Sequence, residues 1–404
     1  MLEDQRLQMT FALEWTPQPG GGVLLRGPFD PRAIPASTYE AGLLRRFETP
    51  ARVSDVLRAF PFHREESMAF LEDCVAHHLL LVVGADGLAH WPARVLVQPT
   101  LCGMPELDAG ARPRVTFLGV PLDSGTSGLP GTRFGPNAIR AASVGCRYEV
   151  DPVTLQPAGF TDLANGRTLL AGVELADAGD VRVWPGEGAP DVLERTTQTV
   201  RTLRLHTDCV GVLGGDHSIT HALLSALPPE PFGVLHLDAH PDLGDVMPGE
   251  PLHHGNFLGK ALDALPHLQR VVQLGLRGMT GGRAQTHDRV TSIGTDGWRA
   301  HGNVVARVLE LLPATLPLYV TLDIDVLDPA YAPSTGTPVP GGVFPHELKS
   351  LLAGVTAQRR IVGFDVVEVG ESRAPSDGTA MLALDLLLLL ADAVQTRHVP
   401  KEHQ

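Results

Sequence analysis

The chain has 404 residues, 43% hydrophobic and 19% charged, a globular rather than a disordered balance and enough for one large α/β domain with a smaller one. A formal net charge of -14 at pH 7 argues against non-specific attraction to nucleic acid or anionic membranes. Cys74, Cys102, Cys146 and Cys209 are scattered without a C-x-x-C pair, which fits thiols in a reducing compartment better than a disulfide framework.

The N-terminus, MLEDQRLQMTFALEW, has early acidic residues and no apolar core of signal-peptide length, so a cytoplasmic location is expected. Helices are predicted at STYEAGLLRRF (37–47) and at SDVLRAF (54–60), with Ser54 as the N-cap of the second. A longer one is predicted over REESMAFLEDCVAHHLLLV up to GADG, followed by the extended segment LAHWPARVLVQP. Three helices and a ribbon predict a winged-helix-like unit over residues 1–105. In pattern it resembles the small domains that grip leader peptides in peptide-maturation enzymes. Residues 1–100 carry nine Arg, no Lys and twelve Asp or Glu, so no basic face offers itself to a duplex. A structural or oligomer contact, or peptide recognition, is expected of the unit instead.

Over residues 106–404, short apolar runs alternate with stretches of helical pattern. The strands are RVTFLGV (114–120), CVGVLGG (209–215), FGVLHLD (232–238), RVVQLGL (270–276), LYVTLDID (318–325) and IVGFDVV (361–367). Each is apolar on both faces, which predicts a doubly wound parallel sheet covered by helices. The last apolar run, MLALDLLLLLADAV from Met381, is too short to cross a bilayer and carries Asp385 and Asp392, so it reads as a buried helix. Pro136 in GTRFGPNAIR opens a helix, and Arg133 and Arg140 there read as packing or subunit contacts.

Four of the strands run into acids or histidines: GGDHS, LDAHPD, LDIDVLDP and DVVEVGES. Ligands in such sheets bind beyond the carboxyl ends of the strands. Asp323 and Asp325 are two apart, so an extended strand puts both on one face, either as a solvated strand end or as a metal site where a cation relieves their repulsion. Asp238, His240 and Asp242 share a side on the same reasoning, and His217 follows a glycine pair that allows close backbone approach. Asp328, before a proline, reads as a turn residue. Four carboxylates and two imidazoles, with no cysteine in the motifs, suit Mn²⁺ better than Zn²⁺, and six ligands fit two ions better than one.

The chain is similar to the ureohydrolase family (arginase, agmatinase and relatives) over roughly residues 114 to 395. The likeness rests on GVPLDSGTSGLPGTRFGPNAIR, GGDHS, DAHPD, HHG (253–255), TLDIDVLDP and DVVEV, in that order. It implies an arginase-like sheet and two Mn²⁺ per subunit. His217, Asp238, Asp242 and Asp323 would hold one ion; His240, Asp238, Asp323 and Asp325 would hold the other. It further implies that a metal-bridging hydroxide attacks the carbon of a guanidino or formimino group, with loss of an amine and, from a guanidine, of urea. Asp242 would deliver the proton to the leaving amine, His254 would shuttle protons to solvent, and Glu368 would pair with the guanidinium. His253 and His254 are adjacent, and the assignment to His254 rests on the glycine that follows it. Trimers or hexamers are the oligomers implied.

The departures concern the substrate. The stretch after Asp242, LGDVMPGEPLHH, lacks the Asn/Thr/Ser character that holds the amino-acid end of free arginine. GMTGG follows QLGLR where amino-acid-specific members commonly carry an acid, and GES follows DVVEV in place of Asn-Pro. Agmatine-like, guanidino-acid and formimino substrates remain open, as does an arginine within a peptide gripped by the N-terminal unit. A one-zinc deacetylase of related topology and a metal-stabilised, non-enzymatic scaffold are the competing readings. The paired LDIDVLDP and the complete six-ligand set count against the first, and the intact ligand set with Glu368 counts against the second.

Overall fold

A computed structural model describes residues 2–9, 13–19, 21–26, 33–60, 63–77, 79–83, 94–95, 99–107, 112–244, 249–279, 286–300, 302–372 and 377–395. The chain divides into two compact units, Met1–Leu96 and Val97–Gln404.

In the first unit, Arg6–Met9 lies between Ala51–Arg52 and Leu80–Val83, and Val23–Arg26 lies between Glu14–Pro17 and Ile34–Ala36, all antiparallel. Its helices are Thr38–Leu44, Val53–Ala59 and Arg64–Ala76. The first begins in a capping box: Ser37 Oγ accepts the Glu40 N–H at 3.2 Å, and Glu40 accepts the Ser37 N–H at 2.7 Å. The second does not start as expected. Arg52 occupies its N-cap without a side-chain bond, and Ser54 is already inside the helix. The third helix is shorter than expected, because LLVV (80–83) is drawn into pairing with Arg6–Met9. Most of the LAHWPARVLVQP segment lies outside the described residues. Leu7, Leu25, Leu43, Leu44, Phe47 and Leu71 form the unit's core.

The second unit is built on eight parallel strands: β1 (Val115–Gly119), β2 (Leu175–Val181), β3 (Cys209–Leu213), β4 (Phe232–Leu237), β5 (Leu268–Leu276), β6 (Val290–Gly294), β7 (Leu318–Asp323) and β8 (Ile361–Val367). They are ordered β6-β5-β4-β7-β8-β3-β1-β2. Alternate residues enter two different apolar clusters. Phe117, Leu235 and Leu322 belong to one; Leu118, Val234 and Tyr319 belong to the other. The sheet therefore has a core on each face, as the doubly apolar strands predict. Among the described residues no helix is long and apolar enough to cross a membrane. Thr379–Gln395 is packed into the sheet's core through Leu384, Leu387 and Leu390. Its two acids are paired, Asp385 with Lys349 at 2.6 Å and Asp392 with Arg167 and the Leu170 N–H.

Two strands, β2 and β6, are absent from the sequence expectation. β2 reads LADAGDV, whose acids argue against a buried strand. Arg140, itself 1% exposed, supplies the missing counter-charge to Asp177 at 2.8 Å and Asp180 at 2.6 Å. Pro136 does open the helix that carries Arg140, Gly135–Ala142.

Consecutive strands β3 and β4 are separated in the sheet by β8 and β7. In such sheets a reversal of this kind places the ligand site beyond the carboxyl ends of the strands around it, here those four. They are the strands that run into GGDHS, LDAHPD, LDIDVLDP and DVVEV.

Candidate metal centre

His217 follows β3, Asp238, His240 and Asp242 follow β4, Asp323 ends β7, and Glu368 follows β8. His217, Asp238, Asp323, Asp325 and Glu368 are at most 3% exposed, Asp242 6% and His254 8%. The His217 Nδ1 stands 3.0 Å from Asp238, 3.3 Å from Asp242 and 3.4 Å from Asp323. None of these oxygens meets it in hydrogen-bond geometry, leaving a buried nitrogen facing three carboxylates. On the other side of Asp238, His240 Nδ1 lies 3.4 Å from the Asp238 carboxylate and 3.1 Å from that of Asp325.

The ligand atoms of Asp238, His240 and Asp325 all lie within 4.8 Å of one another. Each group thus offers one imidazole nitrogen and several carboxylate oxygens, a donor set for a hard divalent ion. Asp238 belongs to both groups. The structure brings Asp323 to His217 but not within ion-pair distance of His240.

The local backbone differs from the expected extended strand. β4 ends at Leu237, and the chain folds back so that the His240 N–H donates to Asp238 at 2.5 Å. Asp242 adopts φ 49, a left-handed conformation. β7 ends at Asp323, and Asp325 lies in the 3-10 turn Ile324–Val326, its N–H donating to Asp323 at 2.8 Å. The pairs are therefore assembled by turns whose N–H groups cap the ligands' own carboxylates, not by strand alternation. Asp328 is a turn residue, accepting the N–H of Ala330, Gly341 and Gly342.

The electrostatics single out Asp238. Burial pushes its pKa up, but His217, His236 and His240 hold it well below the usual carboxylate range. Asp323 is driven well above that range by burial and then by Asp325 and Asp238. Burial and Asp238 raise both Asp242 and Asp325. Burial works against the charged His240 ring, yet Asp238 and Asp325 hold it up to about 12. A cluster this acidic calls for cationic charge.

Beside it, Glu368 sits at φ 60 and accepts the His217 N–H at 2.9 Å. Its Oε1 also lies 3.2 Å from the His254 Nδ1, while its Oε2 is buried with no hydrogen-bond partner among the described residues. On the far side of the His254 ring, Nε2 meets the Ser127 N–H at 3.0 Å and the Ser127 hydroxyl at 2.7 Å. Asp216 pins the same loop by accepting the Gly125 N–H at 2.8 Å. Burial, and then Glu368, pushes Asp216 up to about 6. His253 turns away to Glu250 at 3.1 Å.

Arg133 pairs with Asp123 at the start of this loop. Sequence reasoning missed Ser127 and Asp216, and also His236, whose ligand-type atom lies within 4.8 Å of those of His217, Asp238 and Asp242. His236 was readable only from its position on β4, two residues before Asp238.

A family model described as the Arginase family matches residues 113–391. The chain belongs to the arginase family. It is 35% identical over 284 residues to a mitochondrial agmatinase of Gallus gallus, covering 67% of this chain and 78% of that protein. It is 34% identical over 303 residues to a mitochondrial guanidino acid hydrolase of Homo sapiens, covering 71% and 81%. The structure of proclavaminate amidinohydrolase from Streptomyces clavuligerus matches with a TM-score of 0.64 at 30% identity, over 76% of this chain and 100% of that one. The arginase-family match covers the second unit's sheet and every site residue described above.

Proposed function

We propose that this chain is a binuclear manganese hydrolase of a small linear guanidino compound, releasing urea and an amine. Hydrolysis of a guanidino C–N bond is the activity that family membership and the named relatives carry. The observation that carries the metal assignment is the buried His217 Nδ1 facing three carboxylates, with His240 set in a second group that shares Asp238. His217, Asp238, Asp242 and Asp323 would hold one ion, and His240, Asp238, Asp323 and Asp325 the other. Bound there, two Mn²⁺ supply a water acidic enough to attack near neutral pH and charge to stabilise the transition state.

The remaining steps belong to the side chains. The unpartnered Oε2 of Glu368 offers a buried charge-assisted acceptor for a guanidinium N–H, which orients the carbon to be attacked. Asp242, buried 3.3 Å from His217, is the carboxylate placed to pass to the departing amine the proton that the attacking water gives up. His254 carries protons outward. With Nε2 accepting from the Ser127 N–H, its proton sits on Nδ1 toward Glu368. When Nε2 is protonated it donates instead to the Ser127 hydroxyl, which lies on an exposed residue.

The loop after Asp242 lacks amide and hydroxyl groups for an α-amino acid end, which favours agmatine-like amines or ω-guanidino acids over free arginine. A panel of arginine, agmatine, guanidino acids, formiminoglutamate and arginine-containing peptides, scored for urea or formamide, tests this on the Mn²⁺-loaded chain. Turnover confined to the peptides would replace the small substrate with a peptide held by the N-terminal unit. No turnover on any of them would leave a metal-bound scaffold. Asp238→Asn is expected to abolish both metal retention and turnover. A cytoplasmic enzyme assembled as trimers or hexamers is the accompanying proposal, read by native mass spectrometry.

A further inference from the structure

Five adjacent strands each place one polar residue in a single row across the middle of the sheet. Ser292 pairs in register with Gln273, Gln273 with His236, His236 with Thr321, and Thr321 with Asp365, running from β6 through β5, β4 and β7 to β8. In-register neighbours on adjacent strands point to the same face. All but Ser292, at the sheet edge, are fully buried. We propose that this row is a positioning floor for the metal ligands, that it fixes the tautomers of His217 and His236, and that His236 is a hydrogen-bond donor and not a ligand.

The hydrogen bonds determine the proton positions. Gln273 Nε2 lies 2.7 Å from the Pro241 carbonyl, which can only accept, and the Ser292 hydroxyl donates to Gln273 Oε1 at 2.8 Å. The Pro241 carbonyl orients the amide, the Ser292 hydroxyl adapts to it as a donor, and the amide nitrogen also donates to His236 Nδ1 at 2.9 Å. A neutral imidazole then carries its proton on Nε2, which donates to the Asp238 carboxylate at 2.9 Å. A nitrogen engaged in that way has no lone pair for a metal, although its position is within reach of the cluster.

On the other half of the row, the Thr321 hydroxyl donates to Asp365 at 2.6 Å, where the Tyr319 hydroxyl also donates at 2.7 Å. Its single proton thus committed, Thr321 Oγ1 accepts from His217 Nε2 at 2.8 Å, which makes His217 Nδ1 the nitrogen that faces the carboxylates. The row therefore reaches the centre through two ligands at once, His217 and the shared Asp238. Outer partners of this kind typically change metal affinity by about 10- to 100-fold.

This inference rests on the metal-centre reading, and its test separates the two. The probe is Mn²⁺ alone, with ions retained per chain measured after equilibrium dialysis at limiting metal. Histidine-labelled metal-free protein, followed by nitrogen NMR, reports the tautomers, and metal-free thermal unfolding reports the fold. Thr321→Val and Gln273→Leu should each weaken retention about ten-fold or more. Thr321→Ser should restore it, and Ser292→Ala should have a smaller effect. Wild-type His236 should show a single Nε2–H tautomer, and Gln273→Leu a mixture. An Nδ1–H tautomer at His236, or variants that lower only the metal-free Tm while retaining Mn²⁺ at the wild-type level, would overturn the row's role. Failure of the wild type to take up any divalent ion would overturn the metal centre itself, whatever the tautomers show.

Discussion

The Glu368 carboxylate divides its two oxygens between different tasks: Oε1 is 3.2 Å from the His254 ring, and Oε2 is buried and unpartnered. Glu368 also occupies a left-handed conformation, φ 60, that non-glycine residues adopt at a cost, as does Asp242. Strain held at two residues of one site fits a binding geometry kept for a ligand. Glu368→Gln preserves shape but removes the charge. A hydrogen bond to a charged group is worth about 1.5–3 kcal/mol, so kcat/KM for a guanidino substrate should fall roughly 10- to 150-fold. Mn²⁺ content should be unchanged, since Glu368 belongs to neither ligand group. Steady-state kinetics alongside metal analysis checks both, and lost metal with the activity would move Glu368 into the metal centre.

Protons and metal compete for the same nitrogens. In the metal-free protein the His240 ring is held up to about 12 against an ordinary 6.5, the carboxylates of Asp238 and Asp325 outweighing burial. Because the folded value is the higher one, its contribution to stability is complete below about 6.5 and is lost as pH rises through about 12. The metal-free Tm should therefore decline across that window. Binding Mn²⁺ must expel the proton, so apparent affinity should rise about ten-fold per pH unit for each proton displaced. Thermal unfolding with and without Mn²⁺ over a pH series reads the two opposite slopes. An affinity independent of pH would rule out His240 as a ligand.

The ligand motifs were legible because each pairs a β-rich run with acids that a strand end has no other reason to crowd together. The route by which they meet was not. Asp238 and Asp242, or Asp323 and Asp325, look alternately spaced in the sequence, but turns bring them together, and turns depend on which N–H groups the carboxylates cap. The polar row was hidden for a different reason. Gln273, Thr321 and Asp365 lie on different strands, each between two apolar neighbours, and only the register across five strands shows them as one feature. β2 was hidden by its own acids, since nothing in LADAGDV announces that Arg140 will neutralise them from a helix.

That partnership gives a stability prediction independent of catalysis. Arg140 is buried between Asp177 and Asp180, and Asp177 also accepts the Leu101 N–H at 2.8 Å. Burial raises the Asp180 carboxyl, which Arg140 counters. Arg140→Leu keeps the bulk and strands two buried acids, at an expected cost of about 3–5 kcal/mol. Denaturant unfolding should show the loss without a change in Mn²⁺ stoichiometry in the folded protein. A change under about 1 kcal/mol would mean that water reaches the acids and that the pair contributes little.

His254 is joined to the surface through Ser127 and to the interior through Glu368, an arrangement suited to moving a proton in either direction. Burial lowers the ring's proton affinity, but Glu368 more than offsets it, and the pKa stands above its ordinary value. His254→Asn should lower kcat by about 10²- to 10⁴-fold, the span of a lost general acid–base, with Mn²⁺ retained. Ser127→Ala removes the hydroxyl but leaves the backbone N–H on Nε2. It should lower kcat less, and leave KM near wild type, because the outlet is altered and not the guanidinium contact. Imidazole added to the assay should restore part of the His254→Asn loss by carrying the proton itself. If imidazole has no effect while the variant's KM rises, His254 serves to bind the substrate through Glu368, and the exit path for protons lies elsewhere.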